Sequence, residues 1–359
     1  MINCVLIYGF DSPEHDVSVV TATEIMKNAP SRGIRLYPVY VRGGAWYTGA
    51  ALSDLRSYSP FEASAHRAVK IAGRTLYIEK RGKLKAFAPI DCALIAAHGG
   101  FGENGALQGF LDVNGIPYCS SGVFSSAVGM NKAAAKTLAR AAGIPVADWR
   151  TANRENIDAE LENAAADIGF PLMIKPVSCG SSLGICAAHS ALEAECAAEK
   201  AFGFSDEVII EKYLPDAVDI NVAVLKTGEE IRFSRPERPI KSGEILSFND
   251  KYAPTARASE FPADIPPEKE AELIRLTARS AKTFQTDGAV RFDYLLADDK
   301  IYFNELNTVP GSLAAYLFPE YKPTEYIRLI IETAAAKGGA PRGVDYDTGL
   351  LRLKPKGRR

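Results

Sequence analysis

The chain has 359 residues, of which 47% are hydrophobic and 24% are charged, and its formal net charge at pH 7 is -2. This length predicts two or three globular domains, and the balanced charge gives no reason to expect a nucleic-acid or membrane partner. The six cysteines are scattered and form no CxxC pair, which predicts free thiols and no structural zinc site. The sequence shows no apolar run of bilayer length and no signal peptide at its start, so we expect a cytoplasmic protein.

The first part of the chain predicts an open α/β sheet. Residues 1–10 form an apolar strand, a helix follows over about 17–28, and another strand covers 35–41. Ligands bind at the carboxyl ends of strands in such sheets, and Glu14 lies in the first of these loops. Helix capping is the alternative role for this loop. Farther along, 43–54 reads as a loop and 75–87 as a hairpin.

Two glycine-rich loops follow buried strands. The first, HGGFGENGALQG, begins at His98 and lets backbone amides approach a ligand, although a glycine turn without a ligand is an alternative. The second, CGSSLG, follows Lys175 and offers backbone amides and the hydroxyls of Ser181 and Ser182 to phosphate oxygens. The first is not a dinucleotide fingerprint and the second is not a Walker loop, because the spacings differ.

An alanine-rich helix is predicted from Lys132 to about Ala142, ended by Gly143 and Pro145. Lys132 stands in its first turn, where a cation is unfavourable to the helix dipole. Contact with a phosphate explains a lysine there, and a solvated side chain is the simpler alternative.

A hairpin near the carboxyl end carries the strongest pattern. Two apolar strands flank the turn ADDK. Strand alternation places Arg291 and Asp293 on the same face of the first strand, and Glu305 and Asn307 on the same face of the second. Two carboxylates, an amide oxygen and a guanidinium suit Mg²⁺ that is partly held by nucleotide phosphates. The alternative is a polar outer face of an antiparallel sheet. Upstream, residues 234–264 predict either a mobile lid or a surface excursion.

Taken together, the motifs resemble the D-alanine–D-alanine ligase family of ATP-grasp enzymes. They occur in order as SPEHDVS, HGGFGENGALQG, MNKAAAK, IKPVSCGSSLG, IIEKYL, DKY, RFDYLL and NELNTVPG. The resemblance implies an α/β (α+β) chain with the ATP-grasp fold, in which ATP lies between the second and third of three domains. The implied boundaries are 1–120 for the first-substrate domain, 121–215 for the central domain, 216–340 for the third domain and 341–359 for a basic tail.

The resemblance also implies the residues that hold ATP and metal. Two Mg²⁺ ions, with Mn²⁺ as an alternative, would be held by Asp293, Glu305 and Asn307. The residues implied to contact ATP are Lys132, Lys175, Ser182, Glu211, Lys212, Tyr213, Leu214, Asp219 and Lys251.

For the amino-acid substrates, the resemblance implies that Glu14 binds the first amino group with His98 nearby. Glu14, Ser181 and Tyr252 match a hydrogen-bonded set, and Arg291 with the Gly311 amide would stabilise the tetrahedral oxyanion. A serine and a leucine bind the second substrate's carboxylate in the family, whereas the aligned pair here is Tyr316 and Leu317.

Further departures from the family pattern are Cys179 in place of a glutamate, and Leu246 and Phe248 in place of two lid tyrosines. The implied activity is ATP-dependent joining of two D-alanines for peptidoglycan synthesis through an acylphosphate, by a homodimer. The alternatives are another acceptor, such as D-serine, D-lactate or another amino acid, and a nucleotide-binding homologue that has lost catalysis.

Overall fold

Three β-sheets form the framework of the protein. The structure is a computed structural model that describes residues 1–243, 250, 259–338 and 349. Within that part of the chain, helices pack on each sheet, which confirms the predicted mixed α/β class. No helix among the described residues is both long and apolar enough to cross a membrane.

The first sheet has seven strands in the order β6-β5-β4-β3-β2-β1-β7. Next to the edge strand β7, β1 pairs in parallel with both β2 and β7, and the other pairings are antiparallel. Part of the predicted loop 43–54 is therefore wrong, because β3 extends the sheet there. The strands are β1 (Ile2–Gly9), β2 (Ile34–Arg42), β3 (Ala45–Thr48), β4 (Arg67–Ala72), β5 (Thr75–Lys80), β6 (Lys83–Pro89) and β7 (Cys92–Ile95).

The second sheet is antiparallel, in the order β10-β9-β11-β8. Two helices, α6 (Ile157–Asp167) and α7 (Ala191–Ala201), pack on it through small and aliphatic side chains, with buried alanines at the α7 contact. The strands are β8 (Trp149–Asn153), β9 (Leu172–Pro176), β10 (Cys186–Ala188) and β11 (Glu207–Lys212). Because β11 ends at Lys212, Tyr213 and Leu214, which the resemblance implies as ATP contacts, lie just beyond the strand.

The third sheet is also antiparallel, in the order β13-β12-β14-β15. Its core is aromatic, with Phe284, Phe292 and Phe303 fully buried. The helix α8 (Pro267–Thr283) begins at a proline and packs against this core. The strands are β12 (Val218–Thr227), β13 (Glu230–Phe233), β14 (Gly288–Ala297) and β15 (Lys300–Asn307).

Two of the remaining helices belong to the cores of these sheets. The last helix, α9 (Pro323–Ala336), shares the core of the first sheet, and α5 (Lys132–Ala141) shares that of the third. The predicted domain boundaries stay predictions. The other helices are α1 (His15–Lys27), α2 (Gly100–Glu103), α3 (Ala106–Val113), α4 (Val123–Met130) and the 3-10 helices Ala50–Ser53, Leu55–Ser57, Ala63–Ala65 and Gly311–Leu317.

Candidate active site

The β14–β15 hairpin places the predicted polar set side by side. In its register Asp293 lies opposite Glu305 and Arg291 opposite Asn307. The Arg291 guanidinium donates two hydrogen bonds to the Asp293 carboxylate, at 2.7 and 2.8 Å, and the Asn307 amide donates one at 3.0 Å. Burial opposes the charge on Arg291, but Asp293 outweighs it and the pKa of the guanidinium is raised well above its usual value. The cation is therefore permanently charged and rigidly oriented.

A β-bulge adds a side chain that strand alternation does not predict. Asp293 pairs with Glu305 but Tyr294 pairs with Phe303, so Asn304 has no partner residue on β14. Asn304 and its neighbour Glu305 therefore both line one cleft, which is described next. The Asn304 Oδ1 accepts a hydrogen bond of 3.1 Å from the Lys175 Nζ. Bulges re-aim side chains in this way, often beside functional sites.

A cleft of about 780 Å³ opens between the second and third sheets. Most of the residues that were predicted to hold ATP line this cleft. These are Lys175, Ser182, Glu211, Lys212, Tyr213, Leu214 and Asp219, joined by the predicted metal ligands Asp293 and Glu305. Residues absent from that prediction also line it: Met173, Ile185, Ala217, Asn221, Lys241, Leu295 and Asn304. The mixture of apolar and cationic side chains suits a base with attached phosphates.

A buried ion cluster forms one end of this cleft. Glu211, only 2% exposed, accepts from Lys175 at 2.8 Å and lies 3.3 Å from Lys136, which is 1% exposed. Burial raises the pKa of Glu211, but the two lysines outweigh it and the net pKa is lowered. The sequence prediction omitted Lys136, although Lys132 and Lys136 share one face of α5 by their spacing of four.

A second cleft, of about 370 Å³, adjoins the first. It is lined by Glu14, Glu103, Lys132, Glu305 and Asn307, with Gly129, Met130, Cys179, Gly180 and Leu306. Glu305 lines both clefts, so they meet at the predicted metal ligands. Lys132 is buried here, donates a hydrogen bond from Nζ to the Cys179 carbonyl, and has a pKa lowered chiefly by burial.

Glu14 occupies a narrow space between the two glycine-rich loops. Its Oε1 accepts a hydrogen bond of 2.5 Å from the Ser181 hydroxyl. A Cβ on Gly99 would lie 2.5 Å from the Glu14 Oε2, and one on Gly180 would lie 2.8 Å from its Cδ and Oε1. Both positions therefore need glycine for the carboxylate to fit between the loops. Tyr252 and Lys251 lie outside the described residues, as do Leu246 and Phe248.

Glu103 and His98 hold the first glycine-rich loop against the loop that follows β15. The Glu103 carboxylate accepts backbone hydrogen bonds of 3.0 Å from both Gly99 and Val309, across 206 residues of sequence in the second case. Burial, with nearby Glu14, raises the pKa of Glu103 to about 7. Burial also lowers the pKa of His98 to about 4, and its Nε2 lies 3.0 Å from the Thr21 hydroxyl. His98 is therefore neutral at pH 7.

The segment after Gly311 carries the remaining predicted residues. A Cβ on Gly311 would meet no atom within 4 Å, so its surroundings are open. Leu317 is buried in the core, so its side chain is not available to a ligand. Tyr316 is 47% exposed, and its hydroxyl donates a hydrogen bond of 3.2 Å to the Glu237 carboxylate. Although much of the ring is exposed, the hydroxyl is desolvated beside Glu237, and this desolvation raises its pKa to about 12.

The predicted metal ligands suit an ion that is shared with a nucleotide rather than one that is held by protein groups alone. Within the described chain no three His, Cys, Asp or Glu residues are grouped to hold a metal. Asp293, Glu305 and Asn307 offer two carboxylates and one amide oxygen, whereas Mg²⁺ demands six oxygens. Phosphate oxygens and water would complete that number at the junction of the two clefts. The donors therefore fit Mg²⁺ bound together with a nucleotide.

The amino-terminal part of the chain, residues 3–121, matches the family model described as the D-ala D-ala ligase N-terminus. Residues 138–328 match the model described as the D-ala D-ala ligase C-terminus. The D-alanine–D-alanine ligase of Thermosipho africanus is 32% identical over 369 aligned positions, covering 99% of each chain.

Solved structures show the same fold. The D-alanine–D-alanine ligase of Coxiella burnetii superposes with a TM-score of 0.81 at 23% identity, covering 94% of each chain. The VanG D-Ala:D-Ser ligase of Enterococcus faecalis superposes with a TM-score of 0.80 at 25% identity, covering 93% of this chain and 99% of that one. The three sheets are therefore those of the predicted ATP-grasp ligase fold.

Proposed function

Because this chain belongs to the D-alanine–D-alanine ligase family, and is thus an ATP-dependent ligase, we propose that it activates D-alanine with ATP and joins it to a second D-alanine. The observation that carries this proposal is the meeting of the two clefts at Glu305. One cleft is lined by apolar and cationic side chains that suit a nucleotide, and the other holds the carboxylate of Glu14 for an amino group. Phosphoryl transfer between their contents would occur at the junction.

The nucleotide would lie along the larger cleft with its phosphates toward the junction. Lys175 and Lys132 carry the positive charge there, and the loop with Ser182 supplies hydroxyl and amide donors. Magnesium, when bound by Asp293, Glu305 and Asn307, supplies further neutralisation of phosphate charge. These groups offset the charge that develops as the γ-phosphoryl group moves to a substrate carboxylate.

The first D-alanine would bind in the smaller cleft through its ammonium group. Glu14 is the carboxylate placed for this contact, and Ser181 fixes its orientation. His98, neutral at pH 7, adds no competing positive charge beside the ammonium. The carboxylate of this first D-alanine would then point toward the phosphates and become the acylphosphate.

The second amino acid would attack the acylphosphate carbonyl through its amine. A tetrahedral oxyanion forms, the carbon–oxygen bond to phosphate breaks, and the amide remains. Arg291 and the Gly311 amide are the proposed oxyanion donors, and one such donor is worth about 3 kcal/mol. The cation at Arg291 is held ready by its two hydrogen bonds to Asp293, so little reorganisation accompanies the step.

A second candidate has the same chemistry but a different acceptor, such as D-serine or D-lactate. The presence of Tyr316, where the family pattern has serine, favours it. An inactive nucleotide-binding homologue is disfavoured, because nucleotide binding alone does not require Arg291 together with the two carboxylates that are proposed to bind metal, Asp293 and Glu305. We further propose that the enzyme is a cytoplasmic homodimer, which sedimentation of the purified chain would test.

The decisive experiment measures ATP-dependent phosphate release and dipeptide mass across a panel of amino and hydroxy acids. We expect D-alanine as sole substrate to give ADP, phosphate and D-alanyl-D-alanine. No turnover with D-alanine alone, but turnover with D-alanine plus another acceptor, would favour the second candidate. Phosphate release without any condensation product would contradict both.

A further inference from the structure

Lys136 is a buried cation to which the proposed reaction assigns no task. It lies on α5 and does not line either cleft as the described residues form them. Its Nζ lies 3.3 Å from the Oε2 of Glu211. The same oxygen accepts the hydrogen bond of 2.8 Å from Lys175, which does line the larger cleft. One carboxylate oxygen on β11 therefore holds two lysines, of which one faces the proposed nucleotide site.

These three side chains carry an excess of one positive charge. Burial raises the pKa of Glu211, but the two lysines outweigh it and keep the carboxylate ionised at pH 7. The single negative charge of Glu211 cannot neutralise both Lys136 and Lys175. The next charged groups, Lys132 and Glu305, have opposite signs and leave the excess unchanged. Because a buried charge without a counter-charge is costly, the cluster favours an anion in the cleft.

The second lysine is what gives the cluster its excess charge. A single cation already neutralises a buried carboxylate, so a purely structural ion pair would need only Lys175 beside Glu211. That pair would be neutral, and its attraction for a phosphate would be weak. Among the described residues, Lys136 has Glu211 as its one ion-pair partner, whereas Lys175 also donates a hydrogen bond of 3.1 Å to Asn304 across the cleft. The charge that faces the cleft is therefore that of Lys175.

We propose that Lys136 is a positioning residue for the nucleotide, which neutralises Glu211 and so leaves the positive charge of Lys175 available to a phosphate oxygen. This inference rests on the proposed ligase function, in which the larger cleft binds ATP. Lys136 itself touches no phosphate. Its charge acts through Glu211 on the strength of the charge-assisted hydrogen bond that Lys175 donates.

The first test compares Lys136→Gln with Arg140→Gln by titration calorimetry with ADP and Mg²⁺. Glutamine keeps a hydrogen-bond donor for Glu211 but removes the charge, and Arg140 is an exposed cation on the same helix. We expect the Kd of ADP to rise about tenfold or more in Lys136→Gln, since a hydrogen bond to a charged group is worth at least that factor, and to stay constant in the control. An unchanged Kd in both variants would overturn the inference.

Adenosine, which lacks phosphates, separates this role of Lys136 from a structural one. Its Kd, measured by ligand-observed NMR titration, should be the same for Lys136→Gln and for the unmodified protein. Equal losses of affinity for adenosine and ADP would show that Lys136 only supports the shape of the cleft. Failure of the unmodified protein to bind ADP would refute the proposed function instead.

A double-variant cycle tests whether the effect passes through Glu211. In the presence of Glu211→Gln, whose side chain is neutral, adding Lys136→Gln should change the Kd of ADP by no more than about twofold. A loss of about tenfold there as well would contradict transmission through Glu211. The double variant buries no unpaired carboxylate, so it keeps the test available where Lys136→Gln alone fails to fold.

Discussion

Replacing Gly180 with alanine tests whether the Glu14 carboxylate binds the first substrate. The new Cβ would lie 2.8 Å from the Glu14 Cδ and Oε1 and nearer still to Oε2. Such contacts force a shift, and the carboxylate is the flexible end of its side chain, so it would move rather than the loop backbone. Movement would break the hydrogen bond of 2.5 Å from the Ser181 hydroxyl. The clash therefore acts mainly on the substrate site.

The expected loss follows from the bond that Glu14 would make to a substrate ammonium. Hydrogen bonds to charged groups contribute about 1.5–3 kcal/mol, which corresponds to roughly a 10- to 100-fold rise in KM for D-alanine. The KM for ATP should change much less, because the Glu14 carboxylate moves while the loop backbone that faces the phosphates stays in place. Steady-state phosphate release with each substrate varied in turn provides both constants.

Gly109→Ala is the matched control. Gly109 lies inside the α3 helix, and its added Cβ would meet Val123 at an ordinary distance of 3.7 Å. We expect unchanged kinetics and a gain in unfolding free energy of about 0.5–1 kcal/mol. An unchanged KM for D-alanine in Gly180→Ala, or a rise confined to the KM for ATP, would refute the assignment of Glu14.

Three further predictions follow from the charged groups. Arg291→Ala should leave ATP affinity by calorimetry nearly intact while lowering kcat about 100-fold or more, and equal losses in both would contradict its oxyanion role. The raised pKa of Glu103 contributes stability that is fully present below the pKa of the unfolded state and is lost as the pH rises through about 7. Glu103→Gln should therefore flatten the dependence of the melting temperature on pH. Parallel curves for the two proteins would argue against this role of Glu103. Lys136→Met should lower the unfolding free energy by about 3–5 kcal/mol in urea, because it leaves the buried charge of Glu211 with one cation, and a loss below 1 kcal/mol would contradict this.

The local sequence pattern was sufficient to predict the β14–β15 hairpin, which carries the proposed metal ligands. Alternation with a period of two and a polar turn place Arg291 with Asp293 and Glu305 with Asn307, and the observed register pairs them as predicted. The buried lysine at 136 also had a signal in its spacing of four from Lys132, although the prediction did not use it.

Other parts of the site depend on tertiary structure that no local pattern encodes. Asn304 reaches the cleft only because a bulge breaks the alternation, and nothing in the sequence of β15 marks that position. Glu237, the hydrogen-bond partner of Tyr316, lies in a proline-containing segment without periodicity, and its position is set by a backbone bridge to Asn221. Likewise, the packing of α9 on the first sheet is a long-range contact.

Activation of a carboxylate by phosphoryl transfer, followed by its capture by an amine, is tested most directly with isotopes. D-alanine labelled with ¹⁸O in its carboxylate is incubated with the enzyme, ATP and Mg²⁺, and the phosphate and dipeptide are analysed by mass spectrometry. One ¹⁸O atom is expected in each phosphate released, in equal amount to D-alanyl-D-alanine. Unlabelled phosphate, or labelled phosphate without dipeptide, would contradict this mechanism.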